Sequence, residues 1–179
     1  MNTRKVIALI LSVMFLTGVG LAVSDNETVS INVNIEEMCI LEINYTPDDL
    51  NFVVPENELA SLTIGDPLSY VTVYPEDTSG LDVVVKSNSK YGVKLQIYSA
   101  GDFSDPALSE TIPIAALKWS SDYGSKTDER MTQVPNACFS TSSEGIVTDN
   151  ITYKLDLHSM DSFGDYQAVI MYTATNLTE

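Results

Sequence analysis

The sequence predicts an all-β fold, an antiparallel β-sandwich of about seven to nine strands. Three observations carry that expectation. Apolar and polar residues alternate with period two in run after run. Clusters of Gly, Asn, Asp and Ser punctuate the runs. Helical periodicity is nearly absent, with only Pro106–Leu117 able to hold a helical turn, and Pro113 limits that.

Before the first run stand Arg4 and Lys5, then an apolar stretch from Val6 to Leu21, then Ala22-Val23-Ser24. Basic start, apolar centre and small residues at a cleavage position describe a secretory signal. The stretch is shorter than the ~20 residues of a spanning helix. The acidic Asp25-Asn26-Glu27 just beyond also fits cleavage rather than retention. The expected organisation is therefore a signal peptide over 1–24 and a single β-sandwich domain over 25–179. After cleavage no membrane span is expected, and the location is extracellular or at the cell surface.

From Val29 to Tyr45 the odd positions are apolar apart from Glu37, and strand geometry sends odd and even positions to opposite faces. Seventeen extended residues would reach roughly 56 Å at ~3.3 Å each, so the run is expected to break near Glu36-Glu37. Asn51–Val54, Ser69–Tyr74, Leu81–Lys86, Tyr91–Tyr98, Ile151–His158 and Asp165–Ala174 read as further strands. Ser87-Asn88-Ser89-Lys90 reads as a hairpin turn between two of them. Residues 118–148 read as a long polar connection holding an edge strand or a ligand-bearing loop. In the last strand Val169 and Met171 fall on the polar face, and cover by that connection would explain them.

The chain carries 25 acidic and nine basic residues, a net charge of −16. Two of those basic residues lie in the signal, so the remainder is more acidic still. Such a surface repels nucleic acid and anionic lipid and favours cations and basic partners. Cys39 and Cys138 are the two cysteines. In an oxidising compartment they are expected as a disulfide, worth about 4–5 kcal/mol through the long loop it would close; two buried free thiols are the competing reading.

No catalytic constellation is legible, and the expectation is that the protein is not an enzyme. His158 is the only histidine and falls on the polar face of its strand with Thr152, Lys154 and Asp156. No motif places a nucleophile beside it. Asp102, Asp105, Asp161 and Asp165 sit at turn spacing and are the candidate ligands for calcium, the one cofactor considered; Asp is also simply a good turn residue. Asn26, Asn44, Asn150 and Asn176 open Asn-x-Thr sequons, at strand or chain ends by this reading, and are candidate glycosylation sites. Thr28–Ile35 is an unusually pure alternating run close to the expected cleavage point. It could add to a neighbour's open sheet edge, making a second copy or another envelope protein the partner.

Ile151-Thr-Tyr-Lys-Leu-Asp-Leu157 followed by Gly164-Asp-Tyr-Gln-Ala-Val-Ile-Met-Tyr-Thr-Ala174 resembles the closing hairpin of small exported Ig-like sandwich domains from archaeal and bacterial cell surfaces. Val83–Leu95 and Thr111–Trp119 resemble the same group. The likeness implies an Ig-like sandwich and a surface location, and it transfers no functional residue. A more distant likeness to WxL cell-wall-binding domains lacks their Trp-x-Leu signatures, since the only Trp is Trp119 in Lys-Trp-Ser. Together these readings predict an exported, non-catalytic structural or adhesive cell-surface protein, for example a fimbrial or other assembly subunit. The alternatives are a soluble extracellular binding domain for calcium, carbohydrate or a basic protein, and, more remotely, a hydrolase.

Overall fold

The computed structural model describes residues 35–179 except 60, 64, 65, 67, 160, 162 and 163. The described chain is almost entirely antiparallel β-structure, as its alternation predicts. Among the described residues eleven strands form, more than the seven to nine expected: β1 (Cys39–Asn44), β2 (Tyr70–Val73), β3 (Leu81–Ser87), β4 (Val93–Ser99), β5 (Phe103–Ser104), β6 (Thr111–Ile112), β7 (Leu117–Ser121), β8 (Lys126–Arg130), β9 (Asn136–Ser140), β10 (Gly145–His158) and β11 (Ile170–Asn176). Among the described residues helical structure is confined to 3-10 turns at Pro47–Leu50 and Ile114–Ala116 and a four-residue helix, α1, at Glu56–Leu59. The turn at Ile114–Ala116 lies inside the one segment where the sequence allowed it, whereas Pro47–Leu50 and Glu56–Leu59 lie outside it and correct that expectation. No helix among the described residues is long and apolar enough to cross a membrane.

One sheet runs in the order β1-β3-β10-β7-β8, with β2 also paired to β10. The length of β10 makes this arrangement work. Its first half pairs with β3 over 145–151 and its second half with β2 over 155–158, while β7 occupies the opposite side over 151–155. The second sheet is β11-β4-β9, and β5-β6 form a two-stranded ribbon. Inward residues of the two larger sheets meet in one apolar core. Val83, Val85, Trp119, Ile151 and Tyr153 come from the first, and Leu95, Ile97, Cys138 and Phe139 from the second. Fully burying one such aliphatic side chain contributes about 1.5–3 kcal/mol. The result is two β-layers over one core.

Connectivity departs from the sequence expectation at several places. Ser87–Lys90 is not a hairpin turn, because β3 and β4 belong to different sheets. Both sides of β3 are taken by β1 and β10, and both sides of β4 by β11 and β9, so the chain arches across the core instead. The arch is held by Ser89, whose N–H donates to Ser87 Oγ at 3.1 Å and whose hydroxyl donates to Leu177 O at 3.2 Å. Likewise β10 and β11 do not close a hairpin; they lie in opposite sheets. The supposed long connection over 118–148 is mostly strand, comprising most of β7, all of β8 and β9 and the start of β10. Its polar composition reflects the exposed faces and rims of those strands.

Further differences are local. Asn51–Val54 is extended but pairs with no strand. Regular strand begins at Cys39, beyond the expected break at Glu36-Glu37, and Ile35 is 78% exposed. The run Thr28–Asn34 lies outside the described residues, as do the signal segment and Asn26. Val169 and Met171 are not covered by 118–148: they are 64% and 41% exposed. The segment expected to shelter them is spent on strands of its own.

Candidate functional site

A cleft of about 870 Å³ opens at the end of the sandwich where β10 finishes. Its apolar floor is Leu117 from β7, Leu155 and Leu157 from β10, and Ile112 from β6. These positions face inward by the strand period and are buried. Phe52 and Val54 form one wall and Tyr166, Ala168 and Ile170 another. Polar groups gather at the mouth, where Asn51, His158, Asp161, Asp165 and Gln167 line the opening.

Backbone hydrogen bonds and carboxylates hold these walls. The Asn51–Val54 wall is tied to the segment after β2. Glu76 N–H donates to Asn51 O at 2.9 Å, Asn51 Nδ2 donates to Glu76 Oε2 at 2.5 Å, and Asp77 N–H donates to Asp48 O at 3.1 Å. Buried Asp49 accepts from Thr46 N–H through Oδ2 at 2.5 Å and closes the preceding turn. On the other side Ser104 and Gln167 exchange two backbone hydrogen bonds of 2.9 Å, clamping the 165–168 segment to β5. Asp105 is the post between the two. Its Oδ1 accepts from Ala107 N–H at 2.7 Å and its Oδ2 from Asp165 N–H at 2.8 Å.

Three of the four aspartates proposed for calcium, Asp102, Asp105 and Asp161, are turn acceptors, and Asp165 takes part through its backbone N–H. Asp102 Oδ1 accepts from Ile114 N–H at 2.9 Å and from Gln133 Nε2 at 3.2 Å. Asp161 Oδ2 accepts from His158 N–H at 2.7 Å. Of the four, Asp105 and Asp165 are brought into contact, through the Asp165 backbone amide. Among the described residues no three His, Cys, Asp or Glu side chains gather as a metal cluster. The imidazole of His158 lies beside the Tyr70 ring, centroids 5.8 Å apart, and no Ser, Thr or Cys among the described residues hydrogen-bonds it.

The cysteines are a correction. Both are free thiols. Cys39 stands opposite Ser87 at the edge of the first sheet, whereas Cys138 is buried on β9 in the second. Burial and the nearby Asp149 charge push the Cys138 thiol up to about 12, against a smaller opposing pull from Lys126. Of the sequons, Asn44 is exposed at the end of β1. Asn150 does not sit at a strand end but within β10, where its amide donates to Ser79 O at 3.0 Å and Asp82 Oδ1 at 3.1 Å. Asn176 ends β11 and accepts from Ser87 Oγ at 2.8 Å.

Sequence reasoning missed the cleft and its Phe52–Val54 wall. The alternation there was visible and correctly separates Phe52 and Val54 from exposed Val53. What period two cannot show is that no neighbouring strand pairs with this segment.

No protein-family model matches the chain, and no curated protein matches it. A solved structure of a family 123 glycoside hydrolase from Clostridium perfringens, studied for glycolipid glycan hydrolysis, is similar at 14% identity and a TM-score of 0.39. The match covers 78% of this chain, which spans 25% of that protein's length. The expectation of an exported, non-catalytic structural or adhesive cell-surface protein is withdrawn: no comparison supports it, and the donor strand it called upon lies outside the described residues. A likeness at this level transfers no fold assignment and no activity to the chain.

Proposed function

We propose that the protein binds a small, mainly apolar molecule that carries a cationic or hydrogen-bond-donating end. The observation that carries this reading is the cleft itself. Its volume of about 870 Å³ lies within the ~300–1,000 Å³ usual for small-molecule sites. Apolar walls surrounding a few convergent polar groups are the usual make-up of such sites. The apolar body would lie on Leu117, Leu155 and Leu157, and the polar end would face Asp161 and Asp165 at the mouth. The net charge of −16 favours approach of a cation. The reading is one of binding, with no reaction assigned.

Uptake of the neutral fluorophore N-phenyl-1-naphthylamine, followed by displacement, tests it. Dodecylamine should displace the fluorophore at concentrations at least tenfold lower than dodecanoate. Ala168→Trp, which fills the cleft, should abolish uptake while the thermal transition is kept. No fluorophore uptake, or uptake unchanged in a folded Ala168→Trp variant, overturns the reading.

A further inference from the structure

The outer face of the larger sheet carries a second, chemically different site. Lys154 on β10 is the register partner of Lys118 on β7, and Lys118 is the partner of Arg130 on β8. Directly paired residues of an antiparallel sheet share a face, so three cations stand in one cross-strand row. These are three of the nine basic residues in a chain of net charge −16. Like charges directly opposite one another destabilise a sheet, so the row requires compensation, and the structure supplies only part of it. Lys118 Nζ pairs with Asp156 Oδ2 at 2.5 Å, and Lys154 Nζ with Asp128 Oδ2 at 2.6 Å. Arg130 has no ion-pair partner among the described residues.

Lys118 and Lys154 of this row line a groove of about 260 Å³, and Arg130 stands opposite Lys118 beyond that lining. Val73 pairs with Leu155, so Tyr74 follows beside Lys154 and walls one side with its ring 58% exposed. Ser120 and Thr152, themselves register partners, place two hydroxyls along the floor. Asp128 forms the far wall, and its placement is unusual. Its φ is 55°, in the left-handed region, where β7 and β8 slip register between Trp119 and Ser121. A bulge of this kind re-aims a side chain, and strained backbone of this kind concentrates at functional positions. Here the bulge turns the carboxylate inward to Lys154, while Asp128 N–H donates to Ser120 Oγ at 3.0 Å.

We infer that this groove binds an acidic sugar unit, a hydroxylated ring bearing one carboxylate. The exposed Tyr74 ring offers a face for the C–H side of the sugar. Asp128, Ser120 and Thr152 offer acceptors and donors for its hydroxyls. Lys118 meets the carboxylate inside the groove, and the uncommitted guanidinium of its exposed register partner Arg130 meets it from the rim, for which the planar fork of Arg is well suited. Each feature has a counterpart in such a ligand, whereas an isolated small anion would leave Tyr74 and the hydroxyls unused.

Titration of the protein with D-glucuronate, followed by amide chemical shifts and calorimetry, tests the inference. D-Glucuronate should bind with shifts at Tyr74, Lys118, Ser120 and Lys154. D-Glucose and acetate should each bind at least tenfold more weakly. Arg130→Gln should weaken glucuronate binding about tenfold and Tyr74→Ala about fivefold, with urea midpoints of both exposed-site variants close to the parent. Absence of glucuronate binding overturns the inference. So does acetate binding as tightly as glucuronate, which would mark an unselective anion patch. Glucuronate affinity that is unchanged in the folded Arg130→Gln variant does the same.

Discussion

Tyr153 and Tyr172 meet hydroxyl to hydroxyl across the core, one from β10 in the larger sheet and the other from β11 in the smaller. This is a polar tie between two layers joined mainly by apolar packing, the Ser87–Asn176 hydrogen bond being another. Tyr153 is buried and Tyr172 half-buried. Each hydroxyl is the other's hydrogen-bond partner. Tyr153→Phe or Tyr172→Phe alone leaves a buried hydroxyl without its partner, at a cost of about 1–3 kcal/mol. The double Phe variant removes both polar groups, so its loss should be clearly smaller than the sum of the singles. Urea denaturation of the four proteins measures the coupling; strict additivity would mean that the two hydroxyls do not interact.

The same region sets an alkaline limit on stability. Burial first, and then the neighbouring Tyr172, push Tyr153 well above an ordinary phenol. Burial also raises Tyr172, against the opposing hydrogen bond from Tyr153. Cys138 is raised from 9.0 to about 12. All three shifts favour the protonated, neutral form in the folded state. Their contribution is fully present below the ordinary thiol and phenol values and is lost as pH rises through the folded ones. The unfolding free energy should therefore hold steady from pH 7 to about 9 and fall progressively toward about 12. A flat profile to pH 11 in urea melts would contradict this.

With both thiols free, reductant should leave the melting temperature unchanged. Cys39 is half-buried and Cys138 fully buried with a raised pKa. A thiol-reactive chromophore should therefore modify Cys39 in the native protein and reach Cys138 only on unfolding, because the thiolate is the reactive species. Two equivalents modified in urea without reductant, against one or fewer in buffer, is the expected count. Zero in urea would reinstate a disulfide.

Gly92 is where the arch between the sheets allows no side chain. Its φ is 91°, and an added Cβ would lie 2.2 Å from Thr141 O, a backbone atom. Gly92→Ala should cost about 3 kcal/mol or more, combining left-handed strain with a backbone clash. Gly101 has ordinary φ and no atom within 4 Å of such a Cβ, so Gly101→Ala should change stability by less than about 0.5 kcal/mol. Thermal unfolding of the pair separates the two situations. Similar effects at both sites would show that the arch can relax.

The calcium expectation can be examined at Asp105. Each of its oxygens already accepts a backbone amide, one from Ala107 and one from Asp165. Millimolar calcium or chelator should leave the melting temperature within error. Asp105→Ala should lower stability by about 1–2 kcal/mol, because it strips two part-buried turn amides of their acceptor. It should also loosen the cleft wall, reducing fluorophore uptake. A calcium-dependent rise in melting temperature that vanishes in Asp105→Ala would restore the metal reading.

What the sequence by itself determined is which side of each segment faces inward. Val83 and Val85, Leu95 and Ile97, and Ile151, Tyr153, Leu155 and Leu157 are all buried on the parity that their alternation predicts. Period two follows from strand geometry alone and needs no knowledge of neighbours. Tertiary structure decided who those neighbours are. It put β3 and β4 in separate sheets, drew three strands from the polar stretch after Leu117, and kept Cys39 and Cys138 in different layers. Both candidate sites depend on that choice. The cleft exists because Phe52 and Val54 form a wall without pairing as a strand, and the cation row exists because the register sets Arg130, Lys118 and Lys154 side by side. Strand partners and register are settled by long-range packing, where many pairings satisfy the same local pattern and only the whole core distinguishes them.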